Sequence, residues 1–180
     1  MSILNDNQKY GLISIIFHWA MAVIVLITFL LGKNLQDNFE NYYAILALHN
    51  SFGILIFILA IFRITWKFIN IKPDALPNKI IFMKLASLSH IVFYVIFFVM
   101  PLTGYLLTNL QGDIVSFFGT SLPNILERNS DLKYYVHDIH FYLGNILLLI
   151  LGLHILGALY HHIILKDNTL RRMTLMKLNK

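Results

Sequence analysis

Not one of the 180 residues is a cysteine. That excludes disulfides, covalent c-type haem attachment and cysteine-ligated iron–sulfur clusters. Charge is scarce as well: charged side chains make up 13% of the chain, well below the roughly 25% of a soluble domain. Fourteen Lys and Arg face nine Asp and Glu, a formal net charge of +5. No run of like charge and no basic–aromatic patch turns that excess toward nucleic acid, and membrane proteins gather Lys and Arg on cytoplasmic loops for other reasons. Internal repeats and low-complexity segments are also missing. What remains is apolar, with 58% hydrophobic residues and a mean hydropathy of +0.69. This is the composition of an integral membrane protein, and its length allows one bundle, residues 1–180 as a single domain.

Four segments are long and apolar enough to cross a hydrocarbon core about 30 Å thick. The first runs from about Tyr10 to Leu31, the second from about Ala44 to Trp66, and the third from about Lys84 to Leu107. The fourth begins between Tyr134 and Asp138 and ends near Leu165. The first is too long for a signal peptide and no small-residue cleavage site follows it, so it reads as a retained span. Pro101 lies inside the third and predicts a kink. Between spans lie a short polar loop (Gly32 to Tyr43), a proline-broken loop (Ile71 to Asn78) and a longer one (Asn109 to Lys133). The SFFGTSLPNIL portion of the last is a candidate to lie against the membrane interface.

Eleven Lys and Arg sit at the N-terminus, in the second-to-third loop and in the C-terminal tail, with Arg63; only Lys33, Arg128 and Lys133 occupy the other two loops. The positive-inside rule then puts both termini in the cytoplasm. The expected fold is an all-α, four-helix transmembrane bundle, surrounded by lipid.

Histidines inside such spans are costly and point to function. His140 and His154 are fourteen residues apart, close to four helical turns, so they share a face and lie roughly 21 Å apart along the axis. That is too far for one metal ion. Sorted by depth, His18 and His154 fall in the inner leaflet and His49 and His140 in the outer one. Two imidazoles from different helices at one depth are what bis-histidine haem ligation needs, each ring offering one nitrogen to iron and donating from the other. The pattern thus predicts two non-covalent b haems, on His18 with His154 and on His49 with His140. His137 is seventeen residues from His154, about 100° off its face, so His140 is the better ligand. His161 is seven residues beyond His154 and shares that face, where it can reach a haem propionate or a quinone headgroup.

Plainer readings apply to other positions. His90, His137, His161 and His162 lie near helix ends, where a histidine needs no cofactor. His90 is still a possible helper of His161. Arg63, Lys67 and Lys84 are simply snorkelling residues, one of them able to pair with a propionate as well. Gly53, Gly104, Gly144, Gly152 and Gly157 permit close approach of helices or haem.

The combination of FHW at 17–19, LHNSFGILIFILAIFRI from 48 to 64, SHIVFYVIFFVMPLTGY from 89 to 105 and DIH…GLH…ALYHH…KDNTLRRM from 138 to 173 resembles the bacterial cytochrome b561 family. Only the two outer loops are outside the resemblance. It implies four helices in the inner membrane, two b-type haems, and ligands at His18, His49, His140 and His154 in the pairing that depth suggests. The match is similar to the superoxide oxidase branch, which oxidises superoxide at the periplasmic face and reduces ubiquinone. Leu132-Lys133 stands seven residues ahead of His140, a small insertion relative to that pattern. The outer loops carry more acid (Asp37, Glu40, Asp113, Glu127, Asp131, Asp138) than base, so attraction of an anion is expected to be local, around Lys133 or Arg128.

Closed six-coordinate iron leaves only outer-sphere electron transfer. The leading function is therefore superoxide:ubiquinone oxidoreduction. The alternative is a b-type electron-carrier subunit that links a partner dehydrogenase or hydrogenase to the quinone pool. A histidine-lined metal transporter is a third class, disfavoured because the spans hold no Asp or Glu pore ligands.

Overall fold

A computed structural model describes residues 2–35, 39–76 and 80–178. Asp37, Lys79 and Lys180 of the charge pattern above lie outside the described residues. Four long helices dominate: α1 (Leu12–Asn34), α2 (Tyr42–Ile69), α3 (Ile80–Gln111) and α4 (Ser130–Ile163). All four are long and apolar enough to span a membrane, and the chain is a multi-pass protein of the bacterial inner membrane. Large apolar side chains such as Leu26, Phe62, Ile91 and Leu149 stay exposed on the bundle, as lipid-facing positions must, because hydrocarbon rather than water surrounds them.

Two boundaries differ most from the sequence expectation. The fourth helix starts at Ser130, ahead of Tyr134, because the Asn129 side chain accepts hydrogen bonds from the Asp131 and Leu132 amides at 3.1 and 3.0 Å and caps the first turn. The third helix continues past Leu107 to Gln111 and carries Pro101 without a break. A proline removes the bond to the carbonyl four residues back, here Phe97, and its ring crowds that carbonyl, yet α3 runs on past it. Gly112, at φ +90°, then closes α3: its amide meets the Asn109 carbonyl, and the Asp113 amide meets that of Thr108.

The long loop is also more ordered than its composition suggests. Ser116–Phe117 and Thr120–Ser121 pair as two short antiparallel strands, β1 and β2, around a Phe118-Gly119 turn with positive φ at both residues. The hairpin lies on α2, where the Phe118 amide donates to Ser51 Oγ at 2.8 Å. Fully buried Asn109 ties the rest of the loop to α3 through the Ile125 amide at 2.8 Å.

At the opposite end the N-terminal segment, the α2–α3 loop and the tail are knitted together. Asn5 bonds Gly11, Ser14 and Ile71, the Asp74 amide donates to the Asn7 carbonyl, and the Trp19 indole donates to the Met173 carbonyl at 2.7 Å. Both ends of the described chain therefore lie on one side of the bundle, as four passes require.

Packing is uneven in a way that matters for function. The helices pair broadly as α1 with α2, α2 with α3, and α3 with α4. No such broad backbone contact joins α4 to α1 or α2 among the described residues. The buried core (Met21, Val25, Ile56, Ala60, Ile96, Leu147) sits at mid-height. Leu147 is seven residues from both His140 and His154, so this apolar layer separates the two histidine levels.

Candidate functional site

The histidines reach into the gap that α4 leaves. His18 on α1 faces His154 on α4 with ring centres 6.2 Å apart. His49 on α2 faces His140 on α4 at 6.1 Å. Both pairings are those expected from depth. The spacing is informative: two metal–nitrogen bonds of about 2 Å each, plus roughly 1 Å from each nitrogen to its ring centre, sum to about 6 Å. Each pair is therefore spaced to hold one metal ion between its rings. No group of three or more His, Cys, Asp or Glu gathers at a point among the described residues. Two imidazoles alone would leave a transition metal under-coordinated, and a porphyrin would supply the four further nitrogens.

The His49–His140 pair is also held in the tautomers that ligation needs. His49 Nδ1 lies 2.9 Å from the Thr28 carbonyl, which can only accept, so Nδ1 carries the proton. His140 Nδ1 lies 3.0 Å from Thr103 Oγ1. That hydroxyl spends its own proton on the Met100 carbonyl at 2.8 Å, so it too accepts from the ring. In both rings Nε2 is left with a free lone pair, the state a ligand needs. Two glycines make room: a Cβ at Gly32 would come 2.9 Å from His49 Cε1, and one at Gly104 would come 3.1 Å from His140 Cε1.

A cavity of about 320 Å³ opens beside this pair. Gly53 and Gly144 line it, and a Cβ at Gly53 would meet nothing within 4 Å. Asn50 also lines it, is only 8% exposed, and has a buried Nδ2 with no hydrogen-bond partner. A buried amide donor without an acceptor is costly. Its presence fits an occupant bearing acceptor oxygens, such as a haem propionate. Among the described residues the lining holds one full charge, that of Lys33, with His137 and no acid. Lys133 and Arg128, the cations expected to matter, lie elsewhere: Lys133 sits over the Tyr134 ring and Arg128 packs beside Gly112.

The His18–His154 level is more crowded. His90 on α3 brings its ring to 5.8 Å from His154, and Phe93 packs edge-on against the same ring at 5.4 Å. Arg63 donates to His18 Nδ1 at 3.1 Å and approaches Met21 Sδ at 3.7 Å. Further along α4, His161 packs against Phe82 and sets its Nδ1 2.5 Å from Asp167 Oδ2. Burial acts to raise the Asp167 pKa, but hydrogen bonds from His161 and Thr169 outweigh it and hold the carboxyl below its ordinary value. His137 is surface-exposed, pairs with Asp138 at 3.2 Å and stacks on Phe141. His162 Nδ1 is buried without a partner.

Sequence reasoning missed Asn50, Lys33, Asp167, Thr28 and Thr103. The small-residue pattern had marked Gly104 but not Gly32. None of these carries a signal by itself, because each matters only through a neighbour on another helix.

A family model described as prokaryotic cytochrome b561 matches residues 9–175. Three curated proteins align over nearly their whole lengths. Cytochrome b561 homolog 2 of Escherichia coli K12 is 33% identical over 180 residues, covering 96% of this chain and 95% of that protein. Cytochrome b561 homolog 1 of the same organism is 32% identical, covering 92% and 97%. A probable superoxide oxidase, CybB, of Yersinia pestis is 31% identical, covering 93% and 96%. With a match over almost its full length, the chain belongs to the prokaryotic cytochrome b561 family, whose members transfer electrons and whose name implies b-type haem.

Proposed function

We propose that the chain carries single electrons across the membrane between two non-covalent b haems, the outer held by His49 and His140 and the inner by His18 and His154. On this reading both termini face the cytoplasm, superoxide donates electrons on the outer side, and ubiquinone receives them near the inner pair. The observation that carries the reading is the pair of facing imidazoles at each of two levels, 6.1 and 6.2 Å between ring centres.

Bound haem supplies a reversible one-electron centre. The protein does the rest. Thr28 and Thr103 orient the outer rings, and Arg63 and Phe93 pack the inner ones. The apolar layer around Leu147 keeps water from the path between levels roughly 21 Å apart along α4. With a porphyrin completing the metal's coordination beside two histidines, no position would remain for substrate, so the donor would react without coordination, and a small one-electron donor such as superoxide suits this.

Lys33, on a cavity wall without acid, supplies the local attraction that the acidic outer loops lack. Each superoxide oxidised to dioxygen yields one electron. Two of them, with two protons, reduce one ubiquinone to ubiquinol. His161, oriented by Asp167, and His90 beside His154 are the groups able to donate hydrogen bonds or protons to the quinone oxygens. The similarity to a probable superoxide oxidase supports this choice of donor.

Stopped-flow mixing of purified protein with superoxide tests it. Haem bands should reduce and ubiquinol should then form, at a rate that falls with salt and loses most of its salt dependence in Lys33→Gln. Haems that stay oxidised with superoxide, yet reduce with ubiquinol, would move the protein to the electron-carrier class that serves a partner dehydrogenase.

A further inference from the structure

The tail carries an arginine pair that the reading above does not use. Arg171 and Arg172 open a single 3-10 turn, Arg171–Met173, that packs on α1. Both Nε atoms are buried and have no hydrogen-bond partner. One amino group of Arg171 donates to the Lys177 carbonyl at 3.1 Å, and one of Arg172 donates to the Asp74 carbonyl. A guanidinium has five donors and no acceptor. Neutral carbonyls are poor recompense for burying its charge.

Arg63 presents the same anomaly from the other side. Its fork faces an imidazole nitrogen, a thioether sulfur and the Tyr94 hydroxyl, none of them an anion. The ion pairs among the described residues are His137–Asp138 and His161–Asp167, and neither includes an arginine.

Arg63 and the turn that carries the tail pair lie near the inner histidine level. The Trp19 bond to the Met173 carbonyl fastens the tail to α1 one residue beyond His18. Tyr10 reports on the spacing: burial raises its pKa, while Arg172 and then Arg63 lower it, so both guanidinia lie within electrostatic reach of one hydroxyl. Arg63 also holds His18 Nδ1, the nitrogen from which a ligating imidazole should donate. An anionic acceptor that drew Arg63 away would free that nitrogen. Arginine forks match carboxylates two oxygens at a time.

We propose that Arg63, Arg171 and Arg172 form an anion cradle for the propionate carboxylates of the inner haem, so that the C-terminal tail is part of that haem's binding site. This rests on the assignment of His18 and His154 to a haem. A phospholipid phosphate offers similar anionic oxygens, and the test separates the two.

The experiment is a redox titration of the full-length protein and of Arg63→Gln, Arg171→Gln and Arg172→Gln. It is run in nanodiscs of zwitterionic lipid alone and with added anionic lipid, with haem quantified in each. Two haems per chain should persist in every variant. The inner midpoint, identified as the one absent from His154→Ala, should fall, because a lost cation favours ferric iron. The expected fall is on the order of tenfold in the reduction equilibrium, about 59 mV for one electron. The outer midpoint should stay unchanged, and both lipids should give the same shift. Redox-difference infrared bands of the propionate carboxylates should move with it. If Arg172→Gln does not fold, Arg172→Lys keeps the charge, loses the fork, and should move the infrared bands more than the potential. Unchanged midpoints and bands would overturn the proposal. A shift confined to anionic lipid would assign the cradle to lipid phosphate instead. Wild-type protein holding fewer than two haems would defeat the underlying haem assignment rather than the cradle.

Discussion

Gly32→Ala is a one-carbon change in the middle of the outer site, and its sign can be worked from competing effects. Alanine within a helix gains about 1 kcal/mol over glycine from backbone propensity, so a harmless site would be stabilised. At Gly32 the new Cβ would stand 2.9 Å from His49 Cε1, whereas carbon atoms pack comfortably at about 3.5–4.0 Å. The imidazole would have to retreat by several tenths of an ångström or more. It cannot do so freely, because its Nδ1 is bonded to the Thr28 carbonyl at 2.9 Å and its partner ring stands 6.1 Å away. Overpacking of this kind costs about 1–3 kcal/mol, and a strained or lost hydrogen bond adds about 0.5–1.5 kcal/mol. The net penalty, after the propensity gain, is about 0.5–3.5 kcal/mol on the ligating geometry. At about 1.4 kcal/mol per tenfold, affinity for the haem proposed on His49 should fall by roughly two- to 300-fold. The assay is haem content by pyridine haemochrome during graded dilution, read beside Gly157→Ala, whose Cβ would meet nothing within 4 Å. Gly32→Ala protein that retains both haems as firmly as wild type would refute the reasoning.

Two further outcomes follow from the same geometry. His140→Ala should leave one haem per chain while His137→Ala keeps two, since His140 faces His49 and His137 points to Asp138 at the surface; haem quantitation of the two variants checks this, and the reverse result would break the assigned α4 register. The Asp167 carboxyl is depressed in the folded chain, so its stabilisation of the tail is present above the unfolded value of about 3.9 and lost as pH falls through the lower folded value. Hydrogen exchange over residues 164–178 should therefore stay slow at about pH 6 and quicken only below about pH 4. Asp167→Asn should be fast at both, and loosening of wild type between about pH 5 and 7 would contradict the assignment.

How far the sequence could be read depended on which coordinate was asked for. The Tyr10–Leu31 and Ala44–Trp66 runs betray their helices because a bilayer demands some twenty apolar residues in succession. Depth within them follows from a constant rise per residue. His18 with His154 and His49 with His140 were legible for that reason alone, before any neighbour was known. Local chemistry that depends on one side chain reaching its own backbone was less legible. Asn129 caps α4 at Ser130, but the polar stretch that follows it reads equally well as loop. Phe118-Gly119 makes a tight turn, yet phenylalanine is an unlikely residue to find at positive φ.

Rotation about each helix axis and the choice of neighbour belong to the tertiary structure. Depth places Asn50 beside His49, but only packing against α3 aims its amide into a cavity without an acceptor. Lys33 and Lys133 both count as outer cations in the sequence, and the fold alone sets the first on the cavity wall and the second over a tyrosine ring. Arg63 and Arg172 are 109 residues apart in the chain, and the folded tail brings both within reach of Tyr10. A membrane orders a chain along one axis, which its sequence of apolar runs records residue by residue. The two lateral dimensions are settled by side chains from distant segments meeting, and no periodicity within a single span encodes which ones meet.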